Sequence, residues 1–470
     1  MATEPRGAQS HPYIPNSEPS VQRGMLQEIG ADSIDDFFEC IPNDLRLNAP
    51  LRMPEPICSE AALKRRFEDT ASKNRSVNKV ISFLGGGCWH HYVPASCDEI
   101  NGRSEFLTAY AGDPYEDHGR FQALFEYESM MAELLEMDVV NVPTYDGAQA
   151  AGTALRMASR ITGRKKVLVP ELMGADRLKV ISTYLHPQID VVTVKSARRT
   201  LTLDMDDLRS KLDGSVAAVF FENPAFLGVI EPNGEKISDA AHSVGAMSVV
   251  WADPSSLGVL KPPSKYGADI ACGDIQPLGI HMYFGGGRGG YIASSDEERF
   301  VMEYPSRLFG IAPTSHGEWG FGDVAWERTS FAKRESAKEF VGTSAALWGI
   351  TAGVYLATMG PQGMADLGTG IMLRSSYLSR EMSKIPGVEI ATGSPFFKEF
   401  PVTFEGRRVK EINKALMERG IYGGHDLSPD YPSLGNAALY CVNEMMTRAD
   451  MDALTSALSE IMRGQGGMCS

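Results

Sequence analysis

Asp253 closes the apolar run "VVWAD", and Gln276 stands within "GADIACGDIQPLGIHMYFGGGRGGYIAS". An aspartate at the carboxyl end of a buried strand faces the crevice where open α/β sheets take their ligands. There it could pair with the ring nitrogen of pyridoxal phosphate and strengthen that cofactor's electron sink. It could equally do no more than start the Asp-Pro turn that follows. The segment around Gln276 has the outline of a strand, a polar turn, a glycine-rich turn and a second strand. In many pyridoxal phosphate enzymes, a lysine just before such a glycine turn binds the cofactor covalently. Here no lysine occurs between Lys265 and Lys333.

Other stretches offer chemistry with less support. "GGGRGG", Gly285 to Gly290, is followed by no Lys-Ser/Thr pair, and the next residues, "YIASS", read as a strand. A turn between strands fits it better than a phosphate cradle, which opens a helix. "GGGCWHHYVP" holds Cys88, His90 and His91, with Cys97 and His118 further along. A metal site needs three or four converging ligands. No Cys-x-x-Cys pair is present, so a glycine-rich loop with packed aromatics is expected and no metal. The chain has no Gly-x-Ser-x-Gly nucleophile elbow.

The elements that must position these residues follow from the apolar patterning. "KVLVP", "DVVTV", "VAAVFFE" and "MSVVWAD" read as strands, with helices such as "EKISDAAHSVG" between them. Strands alternating with helices imply a mostly parallel sheet covered on both faces. "FQALFEYESMMAELLEM" is an amphipathic helix, and a long helical run from residue 344 is interrupted at "GPQG". "VEIAT", "EFPVTF", "VKEINKALMERG", "AALYCV" and "RADMDALTSALSEIM" then suggest a smaller αβ lobe. Ahead of these, "EPSVQRGMLQEIGADSIDDFFECI" suggests two short helices, and Ser59 N-caps a further one. The division expected is a flexible arm with helices over 1–75, a large α/β domain over 76–340, a smaller αβ domain over 341–465 and a disordered tail over 466–470.

Composition sets the limits. The chain has 470 residues, 43% apolar and 22% charged, with a net charge of −15. Such an acidic surface repels phosphate backbones and anionic lipids, which argues against nucleic acid and membrane partners. No apolar run approaches the roughly 20 residues needed to span a bilayer, and the polar start has no signal-peptide core. Seven scattered cysteines, an odd number, suit reduced thiols in the cytoplasm.

With "YIPNSEPSVQRGMLQEIG", "GRSEFLTAY", "QALFEYESMMAEL", "YDGAQAA", "FLGVIEP", "DPSSLGVLKPPSKYGADI" and "QPLGI", the chain resembles subunit 1 of two-subunit glycine dehydrogenase (decarboxylating). This is the α-type subunit of the glycine cleavage system P-protein. The resemblance runs over almost the whole chain. It implies the aspartate-aminotransferase architecture of pyridoxal phosphate enzymes (fold type I), with a mostly parallel seven-stranded-type sheet and a smaller C-terminal αβ domain. It also implies that Gln276 marks the place of the cofactor lysine of the β-type subunit. An amide nitrogen is no usable nucleophile toward an aldehyde. Lys261 and Lys265 lie in the proline-rich loop "LKPPSKYG", which is expected to face water.

The implied assembly is an α₂β₂ heterotetramer, inactive without its β-type partner. Its pyridoxal phosphate is held covalently by the lysine-bearing β-type subunit, and this chain walls the active site. The implied reaction is decarboxylation of glycine and passage of the aminomethyl group to lipoyl H-protein. Tyr110 and Glu116 are the candidate catalytic wall residues, and Asp253 and Gln276 mark a vestigial cofactor site. The sequence departs from the family pattern at "AGDPYEDHGRFQ", at "HGEWGFGDVAWERTSFAKRESAKEF" and at "KEFVGTSAALWGI". Another small amino acid as substrate therefore stays open. So do a non-catalytic partner-stabilising role and a stand-alone enzyme using an unexpected lysine.

Overall fold

The computed structural model describes residues 13–47, 49, 52–107, 118–340 and 345–464. The chain divides into two units, residues 1–74 and 75–470. In the first, α1 (Pro19–Ile29) is capped by the Glu18 carboxylate, which accepts from the amides of Ser20 and Val21, and it ends at Gly30 in the left-handed region. Ser59 caps α2 (Glu60–Ala71) by accepting from the Ala62 amide. A short 3-10 helix, Ile34–Phe38, lies between them. None of the described residues of 13–74 is buried. Phe37, Phe38 and Phe67 are 55%, 46% and 66% exposed.

The second unit is built on a seven-stranded sheet. Its strands are β1 (Val139–Val140), β2 (Lys166–Pro170), β3 (Asp190–Val194), β4 (Val216–Glu222), β5 (Met247–Trp251), β6 (Ile270–Asp274) and β7 (Gly290–Ser294). The order is β1-β7-β6-β5-β4-β2-β3, and only β7 runs against its neighbours. Successive side chains of a strand point to opposite faces, and here both faces are apolar. Val167, Val169, Phe220 and Val249 pack on one side with Ala150, Ala151, Ala154 and Leu155 of α4 (Gly147–Thr162). Leu168, Val219, Phe221 and Val250 pack on the other with Ile237 and Ala241. The alanine stripe lets α4 approach the sheet closely. Each buried Val, Leu or Phe on these faces contributes about 1.5–3 kcal/mol.

Amphipathic α3 (His118–Leu135) packs against α5 (Ala346–Met382), and α5 carries the chain from the large sheet to a second one. The "GPQG" interruption is a kink at Gly360, φ +61°, before Pro361, and the helix resumes beyond it. Proline cannot supply the amide that an unbroken helix would need there. The second sheet contains β8 (Val388–Ile390), β9 (Glu399–Phe404), β10 (His425–Asp426) and β11 (Ala437–Cys441) in the antiparallel order β8-β9-β11-β10. Phe400, Val402 and Phe404 pack there with Leu378 and Met382 of α5 and with Leu454 and Leu458. Among the described residues no helix is long and apolar enough to cross a membrane. The expected tail at 466–470 lies outside the described residues.

Candidate functional site

Asp253 follows β5 and lies at the carboxyl ends of the parallel strands, where ligand crevices form in such sheets. It is 8% exposed. Its Oδ1 accepts from the amide and hydroxyl of Ser255 at 2.9 and 2.7 Å. Its Oδ2 accepts from Nζ of Lys398 at 2.7 Å. Lys398 immediately precedes β9 and is 1% exposed. Sequence reasoning missed it: 145 positions separate it from Asp253. The one available signal was "PFFKEF", charged residues set inside an aromatic run that folding must bury.

A chain of charged groups runs on from Lys398. Its Nζ donates to Nε2 of His91 at 2.9 Å, and it lies 4.0 Å from the centre of the Trp89 ring. His91 Nδ1 faces both carboxylate oxygens of Glu444, at 2.9 and 3.0 Å. That contact places the ring proton on Nδ1 and leaves Nε2 as the acceptor. Burial pushes the Glu444 carboxyl up, but His91 and the Tyr92 amide outweigh it and hold it at about 2. Burial likewise pushes Asp253 up, and the Lys398 charge, with the hydrogen bonds of Lys398 and Ser255, outweighs it, so that the carboxyl is held below its usual range.

Gln276 is fully buried, and all its polar atoms are engaged. Its Oε1 accepts from the Trp89 amide at 3.1 Å, and its Nε2 donates to the carbonyls of Trp89 and Ile280 at 2.9 Å each. It therefore clamps "CWHH" and sets Trp89 over Lys398. Lys261 and Lys265 are exposed, and Lys265 pairs with Glu136. Tyr110 and Glu116 lie outside the described residues. Among the described residues no group of three His, Cys, Asp or Glu side chains gathers as metal ligands.

The glycine-rich segment belongs to the connection 275–289, which joins the antiparallel pair β6 and β7. Arg288 turns inward from it, 3.6 Å from both Asp146 and Asp274, and donates to the Gly87 carbonyl. Those two carboxylates occupy the N-terminus of α4, an anion-binding position. Asp146 accepts from the Gln149 amide at 2.8 Å and Asp274 from the Gly147 amide at 2.6 Å. Burial raises the Asp274 carboxyl to about 6.

The cavity beside Trp89, Asp253 and Lys398 holds about 20 Å³, room for roughly one water molecule. Arg177, ion-paired to Glu222 and stacked 3.5 Å over the Trp251 ring, forms part of its lining. Glu399 and Gly228 close another side, where a Cβ on Gly228 would meet the Glu399 carbonyl oxygen at 1.8 Å. These residues do not fit pyridoxal phosphate. No lysine stands at the Gln276 turn, the Asp253 carboxylate is taken, carboxylates hold the helix N-terminus, and a substituted pyridine ring is far larger than the space.

The model of the glycine cleavage system P-protein family matches residues 11–458. A probable glycine dehydrogenase (decarboxylating) subunit 1 from Staphylothermus marinus is 37% identical over 466 residues, covering 96% of this chain and 98% of the relative. The protein of the same description from Aeropyrum pernix is 37% identical, covering 97% of this chain and 100% of its own. Among solved structures, an inhibitor-bound glycine decarboxylase (P-protein) of the glycine cleavage system superposes with a TM-score of 0.83 at 35% identity, covering 94% of this chain and 98% of that one. A Burkholderia pseudomallei sphingosine-1-phosphate lyase, 15% identical with a TM-score of 0.65, covers 90% and 94% and shares the fold.

Proposed function

The chain belongs to the glycine cleavage system P-protein family, and from that premise we propose that it is the α-type subunit of a two-subunit glycine dehydrogenase (decarboxylating). The observation that carries this reading is full-length similarity to subunit 1 proteins in a chain whose own crevice does not fit the cofactor. The catalytic unit is an α₂β₂ heterotetramer in the cytoplasm. A lysine-bearing β-type subunit carries the pyridoxal phosphate, and lipoyl H-protein receives the aminomethyl group of glycine. Pyridoxal phosphate supplies the electron sink for the carbanion left by loss of CO₂. This chain supplies a rigid wall that orients the substrate and excludes water from the partner's site.

Co-purification with the lysine-bearing partner tests the reading. The pair should release CO₂ from glycine when lipoyl H-protein is present, and neither chain should do so alone. Decarboxylation by this chain alone, or none by the pair, would reject it. Tyr110 and Glu116 are proposed to face the partner's substrate. Tyr110→Phe and Glu116→Gln should each lower the turnover of the complex severalfold while leaving assembly intact. Wild-type turnover in both variants would remove them from the wall.

A further inference from the structure

We propose that Lys398 is a built-in counter-cation for Asp253, and that cutting it back opens a latent site for a small organic cation. The inference stands on this chain's own geometry and does not depend on which subunit carries the cofactor.

The enclosure around the ammonium group is that of a cation site. Asp253 gives it an anionic acceptor at 2.7 Å, and His91 Nε2 lies 2.9 Å away. The Trp89 ring centre lies 4.0 Å away and the Phe397 ring centre 5.8 Å. An aromatic face with a carboxylate behind the charge is the usual cage for alkylammonium groups.

Each wall is itself held in place. Ser255 fixes the other Asp253 oxygen, Glu444 fixes the His91 tautomer, and Gln276 fixes the Trp89 backbone. The cage therefore does not need the lysine to give it shape.

The lysine enters it under strain. Lys398 has φ +63°, in the left-handed region, a conformation that is unfavourable for a residue with a side chain. Its neighbour Phe397 donates its amide to the Gly228 carbonyl at 2.8 Å, and the Val442 amide donates to the Lys398 carbonyl at 2.8 Å. The backbone is thus held so that this one side chain points inward. An unpaired Asp253 at this depth would be far costlier than the strain, so the ion pair explains why the posture persists. The consequence is a crevice in which the buried carboxylate is balanced by the chain's own lysine.

The test uses the purified full-length chain and follows its melting temperature. Lys398→Ala removes three methylenes and the amine, the atoms of n-propylammonium. The variant should melt roughly 5 °C or more below the wild type. Millimolar n-propylammonium should recover most of that loss in the variant and leave the wild type unchanged. Propan-1-ol, of equal size and uncharged, should recover little. Equal recovery by the alcohol, or none by the amine, would overturn the proposal. If Lys398→Ala does not fold, the double variant Lys398→Ala with Asp253→Asn decides. Removing both charges should restore a soluble, folded chain, and a double variant that also fails to fold would overturn the proposal.

Discussion

Residues 13–74 and the crevice around Asp253 stand at opposite extremes. The first unit caps its helices well yet buries none of its described residues. In the crevice, Asp253, Lys398, Gln276 and His91 are all buried, and each is held by named partners. The contrast separates two kinds of incompleteness. The charged groups around Asp253 are paired from within the chain, whereas the helical arm presents Phe37, Phe38 and Phe67 to solvent. The arm's exposed phenylalanines are the surface that a partner subunit would be suited to cover.

Removing residues 1–74 should break the comparison at its larger end. Association with the proposed partner subunit should weaken by at least about a thousandfold, or roughly 4 kcal/mol. The melting temperature of 75–470 should change by less than about 2 °C. Sedimentation and calorimetry read the two effects. Undiminished assembly would show that the arm is not the surface in need of cover.

Gln276 probes the sealed end. Gln276→Ala strands the Trp89 amide and the Ile280 carbonyl and leaves the Trp89 carbonyl only the His91 amide, and should cost about 3 kcal/mol in urea unfolding. Gln276→Lys restores the missing side chain but not the missing space. With pyridoxal phosphate and borohydride, peptide mapping should find no modified lysine at 276. Stoichiometric modification there would mean that the crevice opens more readily than its contacts imply.

The smallest effect is on pH dependence. Burial raises the Glu399 carboxyl to about 7, only partly offset by the Gly86 amide, and raises Asp274 to about 6. In the unfolded chain both ionise near pH 4, as ordinary carboxyls do. Between about pH 4 and 7 the folded state retains protons that the unfolded state has released, so stability falls as pH rises through that window. Glu444, held at about 2, acts in the other direction and withdraws its stabilisation as pH falls below the ordinary glutamate range. Glu399→Gln should flatten the loss between pH 5 and 7 by about 1–2 kcal/mol. An unchanged slope in denaturant titrations across that range would place the charge elsewhere.

The sheet was legible because its signal is local. "KVLVP", "DVVTV", "VAAVFFE" and "MSVVWAD" are β-branched and aromatic runs bounded by polar turns, and they form β2 to β5. Ser59 and "GPQG" marked a cap and a kink for equally local reasons. Lys398, His91 and Glu444 were not legible. They meet across hundreds of positions, and nothing in their own neighbourhoods specifies the partner. Gly285 to Gly290 was read as a turn between strands, and it is the end of the 275–289 connection. That connection is longer and more contorted, with positive φ at Tyr283 and Phe284, because Arg288 must reach inward to Asp146 and Asp274.

The line from Glu444 through His91 and Lys398 to Asp253 also has a mechanical reading. Glu444 follows β11 and Lys398 precedes β9, both on the small sheet, while Asp253 follows β5 on the large one. The gap between two such sheets is where a lobed enzyme would flex about its connecting helix, and α5 even has a bend at Gly360 that could serve as the pivot. In this chain the gap is riveted. Torque applied to the small lobe should pass through Lys398 into β5 instead of turning the bend, so that the two sheets of residues 75–470 move together. Amide exchange at Phe397 to Glu399 would then report the opening of the whole unit and not the swing of a lobe.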